Sequence, residues 1–147
     1  MEILTHPAIL AGLIGGLILF KVHRYNAFKS ASERFRSAIL NELEGLYPTP
    51  KKWPSDEGQI LNILRVKFPR LEIAVTDFRC YLTWLSRRRF DKAWRKYHED
   101  YYQYVPYTTS GGYSFGKLVS PPIDTTKTYK ETFRHNVDEL LKYANQR

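Results

Sequence analysis

The chain lacks most of the features by which secreted proteins and enzymes are recognised. Its 147 residues include one cysteine, Cys80, which excludes an internal disulfide and favours a reducing compartment. No internal repeat and no low-complexity tract occurs. His98 and His135 have no cysteine or carboxylate at metal-ligand spacing, and no serine has the surroundings of a nucleophile elbow. These absences predict no metal, no cofactor and no catalytic residue, and an enzyme stays an unsupported alternative.

An 18-residue stretch near the start of the chain carries no charge. No Asp, Glu, Lys or Arg occurs from Ile3 to Phe20, and Lys21, Arg24 and Lys29 follow. A helix over this stretch spans about 27 Å, close to the ~30 Å hydrocarbon core of a bilayer, and a snorkelling Lys21 covers the shortfall. Its apolar residues surround the axis and leave no polar face. We therefore expect a transmembrane anchor over residues 1–25 and a basic cytosolic domain over residues 26–147.

The flanking charges predict the orientation of this anchor. A cleaved secretory signal is one alternative, but it carries its positive charge before the apolar run, whereas here Glu2 precedes it. A buried core helix is the other alternative, and it would have a polar face. The excess of Lys and Arg after Phe20 predicts a single-pass inner (plasma) membrane protein, with the N-terminus outside and the C-terminal domain in the cytoplasm.

Small residues line one face of the expected anchor. Ala8, Gly12 and Gly16 recur at every fourth position, a spacing that permits close backbone approach between helices in lipid. The stripe predicts a homo-oligomer with these residues at the transmembrane interface. The alternative is that glycine is simply frequent in membrane helices.

The rest of the chain is basic and its pattern is mainly α. All 23 Lys and Arg, but only 14 of the 15 Asp and Glu, follow residue 20, which gives this part a formal charge of +9. Apolar residues recur at helical spacing from Phe28 to Leu46, so this helix continues the anchor directly. Further helices are expected after Ser55, from Pro69, after a cap at Ser86 and after Thr128. The sequence therefore predicts a cytosolic helical bundle of about 120 residues.

Each of these helices has a predicted core face. For the helix that opens at Pro69, it consists of Ile73, Ala74, Phe78, Tyr81, Leu82 and Leu85. Cys80 is interpreted as a buried structural thiol. The core face of the next helix consists of Phe90, Ala93, Trp94, Tyr97 and Tyr101. The core face of the last helix consists of Phe133, Val137, Leu140, Leu141 and Ala144.

Residues 102–126 do not follow a helical pattern. The stretch is rich in Tyr, Gly and Pro, which favours an ordered binding loop or a short hairpin, with an Ω-loop packed on the bundle as the alternative. Gly111, Gly116 and Lys117 match the first part of a phosphate-binding P-loop. Leu118 then stands where a Ser or Thr should bind Mg²⁺, so a nucleotide triphosphatase is not expected. Tyr113 and Lys117 remain candidate ligands for a phosphate group.

The densest positive charge follows Ser86. The candidate ligand-binding residues there are Arg87, Arg88, Arg89, Lys92, Arg95 and Lys96. A solvated helix face is one interpretation of this cluster. The other is a site for anionic membrane lipid, an anionic nucleotide or an acidic protein partner. No motif for sequence-specific DNA binding is present.

The aromatic pattern of the cytosolic part resembles that of small uncharacterised bacterial proteins, some of them membrane-anchored. The residues that carry this resemblance are Phe35, Phe78, Arg79, Phe90, Ala93, Trp94, Tyr97 and the segment 140–144. The layout is similar to that of CRISPR-associated membrane effectors opened by cyclic oligoadenylates, which implies an antiviral effector gated by a cyclic oligonucleotide as an alternative. The prediction from the residues themselves is a non-enzymatic membrane protein whose oligomeric, basic domain binds an anionic ligand or partner.

Overall fold

The computed structural model describes residues 7–54, 57–100 and 129–145, and side chains from residue 12 onward. Four α-helices and one 3₁₀ helix make up most of this part: α1 (Pro7–Glu42), α2 (Glu57–Arg79), α3 (Trp84–Glu99), α4 (Tyr129–Leu141) and the 3₁₀ helix Lys142–Asn145. The described ranges contain no β-strand beyond an isolated bridge between Glu44 and Tyr47. The predicted mainly α bundle is therefore confirmed. The predicted Tyr- and Gly-rich loop lies outside the described residues.

Helix α1 has two differently surrounded halves. Its 36 residues extend over about 54 Å. Phe28, Ala31, Phe35 and Ile39 recur at intervals of three and four and are buried in the bundle. Side chains from residue 12 to residue 26 are almost all exposed. The prediction that one helix runs from the uncharged segment into the bundle is confirmed.

Helix α2 runs antiparallel to α1. Near its middle, the Lys67 ammonium donates a hydrogen bond to the carbonyl of Glu42, at the end of α1. At its C-terminus, the Phe78 ring stacks on Phe35 with centroids 4.6 Å apart and lies 5.9 Å from Phe28. Helix α2 therefore returns toward the exposed half of α1.

The expectation of a new helix at Pro69 is wrong, because Pro69 lies inside α2. A proline in a helix interior removes one backbone hydrogen bond and is normally a breaker. Buried residues on both sides of it, Leu64 before and Leu71 and Val75 after, keep one continuous face on the core. This packing outweighs the local preference, and the Ser55 cap lies outside the described residues.

Helices α3 and α4 complete the core. Phe90 contacts the rings of Phe35 and Phe78, and Trp94 stacks on Phe68, so α3 runs antiparallel to α2. Thr83, not Ser86, is the N-cap of α3, and its hydroxyl accepts a hydrogen bond from the Ser86 N–H. The buried face predicted for α4 and the turn after it is confirmed. It consists of Phe133, Val137, Leu140, Leu141 and Ala144.

Two polar contacts hold α4 to the rest of the bundle. The buried Asn136 amide donates a 2.8 Å hydrogen bond to the Asp100 carboxylate at the end of α3. The Tyr47 hydroxyl, in the turn after α1, donates a 2.5 Å hydrogen bond to Asp138. Partial burial, together with this bond to a carboxylate, raises the pKa of Tyr47 to about 12.

No helix in the described ranges combines the length and the apolar character that a membrane crossing requires. The fold therefore does not support the predicted transmembrane helix. The uncharged segment of the sequence starts at Ile3, and the described part of α1 starts at Pro7.

Candidate anion-binding face

One side of α3 is a continuous cationic surface. We call this surface the cationic face; it consists of Arg88, Arg89, Lys92, Arg95 and Lys96, all of them exposed. The opposite side of the same helix carries Phe90 and Tyr97, which are fully buried. Because the core fixes the rotation of α3 through these two rings, the five cations are held outward together.

The nearest carboxylate is already engaged elsewhere. Asp91 accepts two hydrogen bonds from the Arg79 guanidinium, at 2.6 and 2.8 Å, in a bidentate ion pair between α2 and α3. This contact raises the pKa of Arg79. Asp91 is thus a poor partner for the arginines of its own helix. In the part of the chain that the structure describes, Arg89, Lys92, Arg95 and Lys96 have no ion-pair or hydrogen-bond partner.

Arg87 does not belong to the cationic face. Its side chain turns toward α2, where Nε donates a 3.3 Å hydrogen bond to the carbonyl of Arg79, the last residue of that helix. A cation at this position satisfies a terminal carbonyl and interacts favourably with the negative end of the helix dipole. The structure therefore gives Arg87 a structural contact and groups the other five predicted cations.

The N-terminal end of the cationic face carries two exposed apolar side chains that sequence reasoning missed. Trp84 and Leu85 are 63% and 61% exposed, and the Arg88 guanidinium lies 4.2 Å from the centroid of the Trp84 ring. The placement of Leu85 in the core is wrong. The start of the helix was the signal that could have revealed this. With Thr83 as the N-cap of α3, the helical phase set by the buried Phe90 and Tyr97 places Leu85 on the solvent-facing side.

The remaining predicted site residues are not joined to this face by described contacts. Tyr113 and Lys117 lie outside the described residues, as does the side chain of Ala8. A side chain built at Gly12 or Gly16 would meet nothing within 4 Å, so this side of α1 is open. The transmembrane interface through Ala8, Gly12 and Gly16 stays a prediction.

An open groove of about 550 Å³ lies between α1 and α2. Its floor is apolar, with Phe35 and Phe78, and Arg34 and Asp77 are among its polar lining residues. Cys80 also lines the groove and is exposed, so the expectation of a buried thiol is wrong, as is the core placement of Ile73. Among the described residues, no three His, Cys, Asp or Glu side chains are grouped to hold a metal ion.

No family model, curated protein or solved structure matches the chain. The strongest physical indications of function are the exposed side chains of α1 and α3. These two helices present the largest exposed apolar surface and the densest exposed charge of the described residues.

Proposed function

We propose that this chain is a non-enzymatic, single-pass bacterial inner membrane protein whose cytosolic helical bundle binds an anionic ligand or partner. The observation that carries the proposal is the cationic face of α3, where core packing holds five exposed cations on one side of a helix. The anchor and the face are separate parts of the proposal, with separate physical support.

The exposed half of α1 supports the membrane anchor. Its large apolar side chains point in all directions around the axis, and each is between 51% and 71% exposed: Leu13, Ile14, Leu17, Ile18, Leu19, Phe20 and Val22. Soluble monomers rarely expose a continuous apolar surface of this extent, because it is costly in water. Lipid removes that cost, and the uncharged sequence from Ile3 to Phe20 has the 18 residues that a helix of about 27 Å requires.

The basic residues after the anchor support a cytoplasmic position for the bundle, with the N-terminus outside. The anionic inner leaflet then attracts the domain with about 1 kcal/mol for each Lys or Arg near the surface. The open side of Gly12 and Gly16 is compatible with close approach of a second copy in lipid, and a homo-oligomer is part of the proposal.

Electrostatics supports anion binding by the cationic face. From Arg88 to Lys96 the helix rises about 12 Å, so five like charges lie within little more than one Debye length. Their mutual repulsion raises the energy of the unliganded surface, and a bound anion lowers it. An acidic protein segment or a nucleotide phosphate fits this charge, and neither requires a catalytic residue.

The test measures anion affinity of the full-length protein in nonionic detergent. Fluorescence anisotropy follows a labelled oligoglutamate peptide and, separately, a labelled oligonucleotide. The double variant Lys92→Glu with Arg95→Glu is expected to weaken binding of the preferred probe at least about tenfold, which is ~1.4 kcal/mol. The matched control is Lys51→Glu with Arg65→Glu, which makes the same change in net charge at exposed positions away from the face.

Equal affinities for the two double variants would contradict a localised face. Failure of both probes to bind at low salt would contradict anion binding altogether. A cyclic oligoadenylate in the same assay tests the gated-effector alternative. Tyr113 and Lys117, which that alternative also requires, lie outside the described residues, so no described contact favours it.

A further inference from the structure

The first turn of α3 combines exposed apolar and cationic side chains. Trp84 and Leu85 project from the bundle, and the Arg88 guanidinium lies over the Trp84 ring. Neither apolar side chain contributes to the buried core. Tryptophan and arginine together are typical of the boundary between lipid headgroups and acyl chains, where the ring is partly desolvated and the guanidinium meets phosphate.

The fold places this turn at one particular end of the bundle. Because α2 is antiparallel to α1, its C-terminal Phe78 lies beside Phe28, the first buried residue of α1. Residues 80–83 then connect α2 to the start of α3. The first turn of α3 therefore lies at the end of the bundle from which the exposed apolar half of α1 emerges.

The distance along α1 matches the thickness of a headgroup layer. Phe28 lies six residues after Val22, the last exposed aliphatic residue of the segment, which is about 9 Å of helix. The polar layer on each side of a bilayer is about 5–8 Å thick. With Val22 at the edge of the hydrocarbon core, the end of the bundle near Phe28 lies against the headgroups.

Charge at this end complements an anionic bilayer surface. Lys21, Arg24 and Lys29 are exposed on α1 near the junction of the apolar half and the bundle. Arg88 and Arg89 are exposed on the first turns of α3. Both helices therefore present cations at the level where lipid phosphates lie.

We infer that the first turn of α3 is a second membrane contact, in which Trp84 and Leu85 enter the headgroup layer and Arg88 binds the phosphate of an anionic phospholipid. This inference rests on the proposed anchoring of α1. It names anionic phospholipid as the partner of the N-terminal end of the cationic face. Contact at two points, α1 and this turn, fixes the rotation of the bundle on the membrane. Lys92, Arg95 and Lys96, farther along α3, are then left accessible from the cytosol.

The experiment measures quenching of tryptophan fluorescence by brominated lipid in full-length protein reconstituted into vesicles of phosphatidylglycerol and phosphatidylcholine. One variant retains only Trp84, through Trp53→Phe and Trp94→Phe. The matched control retains only Trp94, through Trp53→Phe and Trp84→Phe. Trp94 lies about 15 Å farther along α3 and stacks on Phe68. Quenching of Trp84 is expected to be at least about twofold stronger than quenching of Trp94.

Arg88→Glu in the Trp84 variant is expected to reduce this quenching, whereas Arg65→Glu, at an exposed position of α2 away from the cationic face, leaves it unchanged. Equal quenching of Trp84 and Trp94 in protein that floats with the vesicles would overturn the second contact and leave the anchor standing. An Arg88→Glu variant as strongly quenched as its parent would overturn the phosphate contact. Protein that does not float with the vesicles would overturn the anchor, and this inference with it.

Discussion

The two halves of α1 differ in how their apolar residues are distributed around the axis and in what surrounds them. In the second half, apolar residues repeat every three or four positions, and one side of the helix is buried against α2 and α3. In the first half, apolar residues occupy every direction around the axis and remain exposed. The angular distribution of apolar residues around a helix decides what can cover them. A one-sided stripe is satisfied by a protein core, and the all-round surface is the feature on which the proposed membrane insertion rests.

The largest expected effect comes from placing charge in the exposed half. Leu13→Lys with Ile14→Lys puts two ammonium groups near the centre of the proposed span, at a cost of about 5–7 kcal/mol in a membrane helix. The double variant is expected to lose membrane association while its bundle keeps its helicity by circular dichroism. Unchanged membrane association would contradict insertion of this half.

Truncation of a side chain in the packed half is expected to destabilise the bundle and to leave membrane association intact. Phe35→Ala removes a buried ring that contacts both Phe78 and Phe90, and it should lower the free energy of unfolding by about 3–5 kcal/mol. Leu17→Ala, at an exposed position of the same helix, is the control and should change it by less than about 0.5 kcal/mol. Denaturant titration in nonionic detergent measures the free energy of unfolding of both variants. Equal destabilisation would show that the two halves are not differently packed.

A smaller effect is expected at the glycines of the exposed half. Gly12→Ile with Gly16→Ile blocks close backbone approach and should weaken self-association by about 1–2 kcal/mol in a membrane two-hybrid assay. Ile14→Ala with Ile18→Ala is the control, because these two exposed residues lie on the opposite side of the helix. Loss of signal in the control alone would place the interface elsewhere, and an unchanged signal in every variant would contradict the oligomer.

The smallest effect concerns pH and the turn that ends the packed half. The pKa of Tyr47 is raised from 10.0 to about 12 in the folded protein, so the native state keeps this proton longer than the unfolded chain does. Its contribution is complete below pH 10 and is lost as pH rises toward 12; solvent screening limits it to about 1 kcal/mol. Between pH 10 and pH 12, Tyr47→Phe should lose less stability than the parent protein. Parallel pH profiles would contradict the Asp138 contact.

Regular periodicity made a large part of the fold predictable. The stripe from Phe28 to Ile39 and the buried face of α4 follow from spacing alone, because packing and helical period agree there. The cationic face was predictable for the same reason: its cations share one side of a helical wheel. Pro69 was misread because its local preference is overridden by contacts between α2 and α1, which no local pattern contains.

The remaining errors arise where two helices meet. The Arg87 side chain points away from Arg88 and Arg89, because its guanidinium donates a hydrogen bond to the carbonyl of Arg79, the last residue of α2. Only the tertiary fold brings that carbonyl close to Arg87. Leu85, predicted in the core series that starts at Ile73, and Cys80, interpreted as a buried thiol, are both exposed, because the chain turns at residues 80–83 and the helical phase before the turn does not continue after it. Within the described residues, the cations that form the cationic face were thus more predictable than the residues at its ends.

Insertion of the first half of α1 in the bilayer is the central claim, and extraction of the full-length protein from cell membranes tests it most directly. Membranes are washed with alkaline carbonate, pelleted and then dissolved in detergent. We expect the protein to remain in the pellet after the wash and to be released only by detergent, as a helix inserted in hydrocarbon must be. Release of the protein into the carbonate supernatant would contradict the claim.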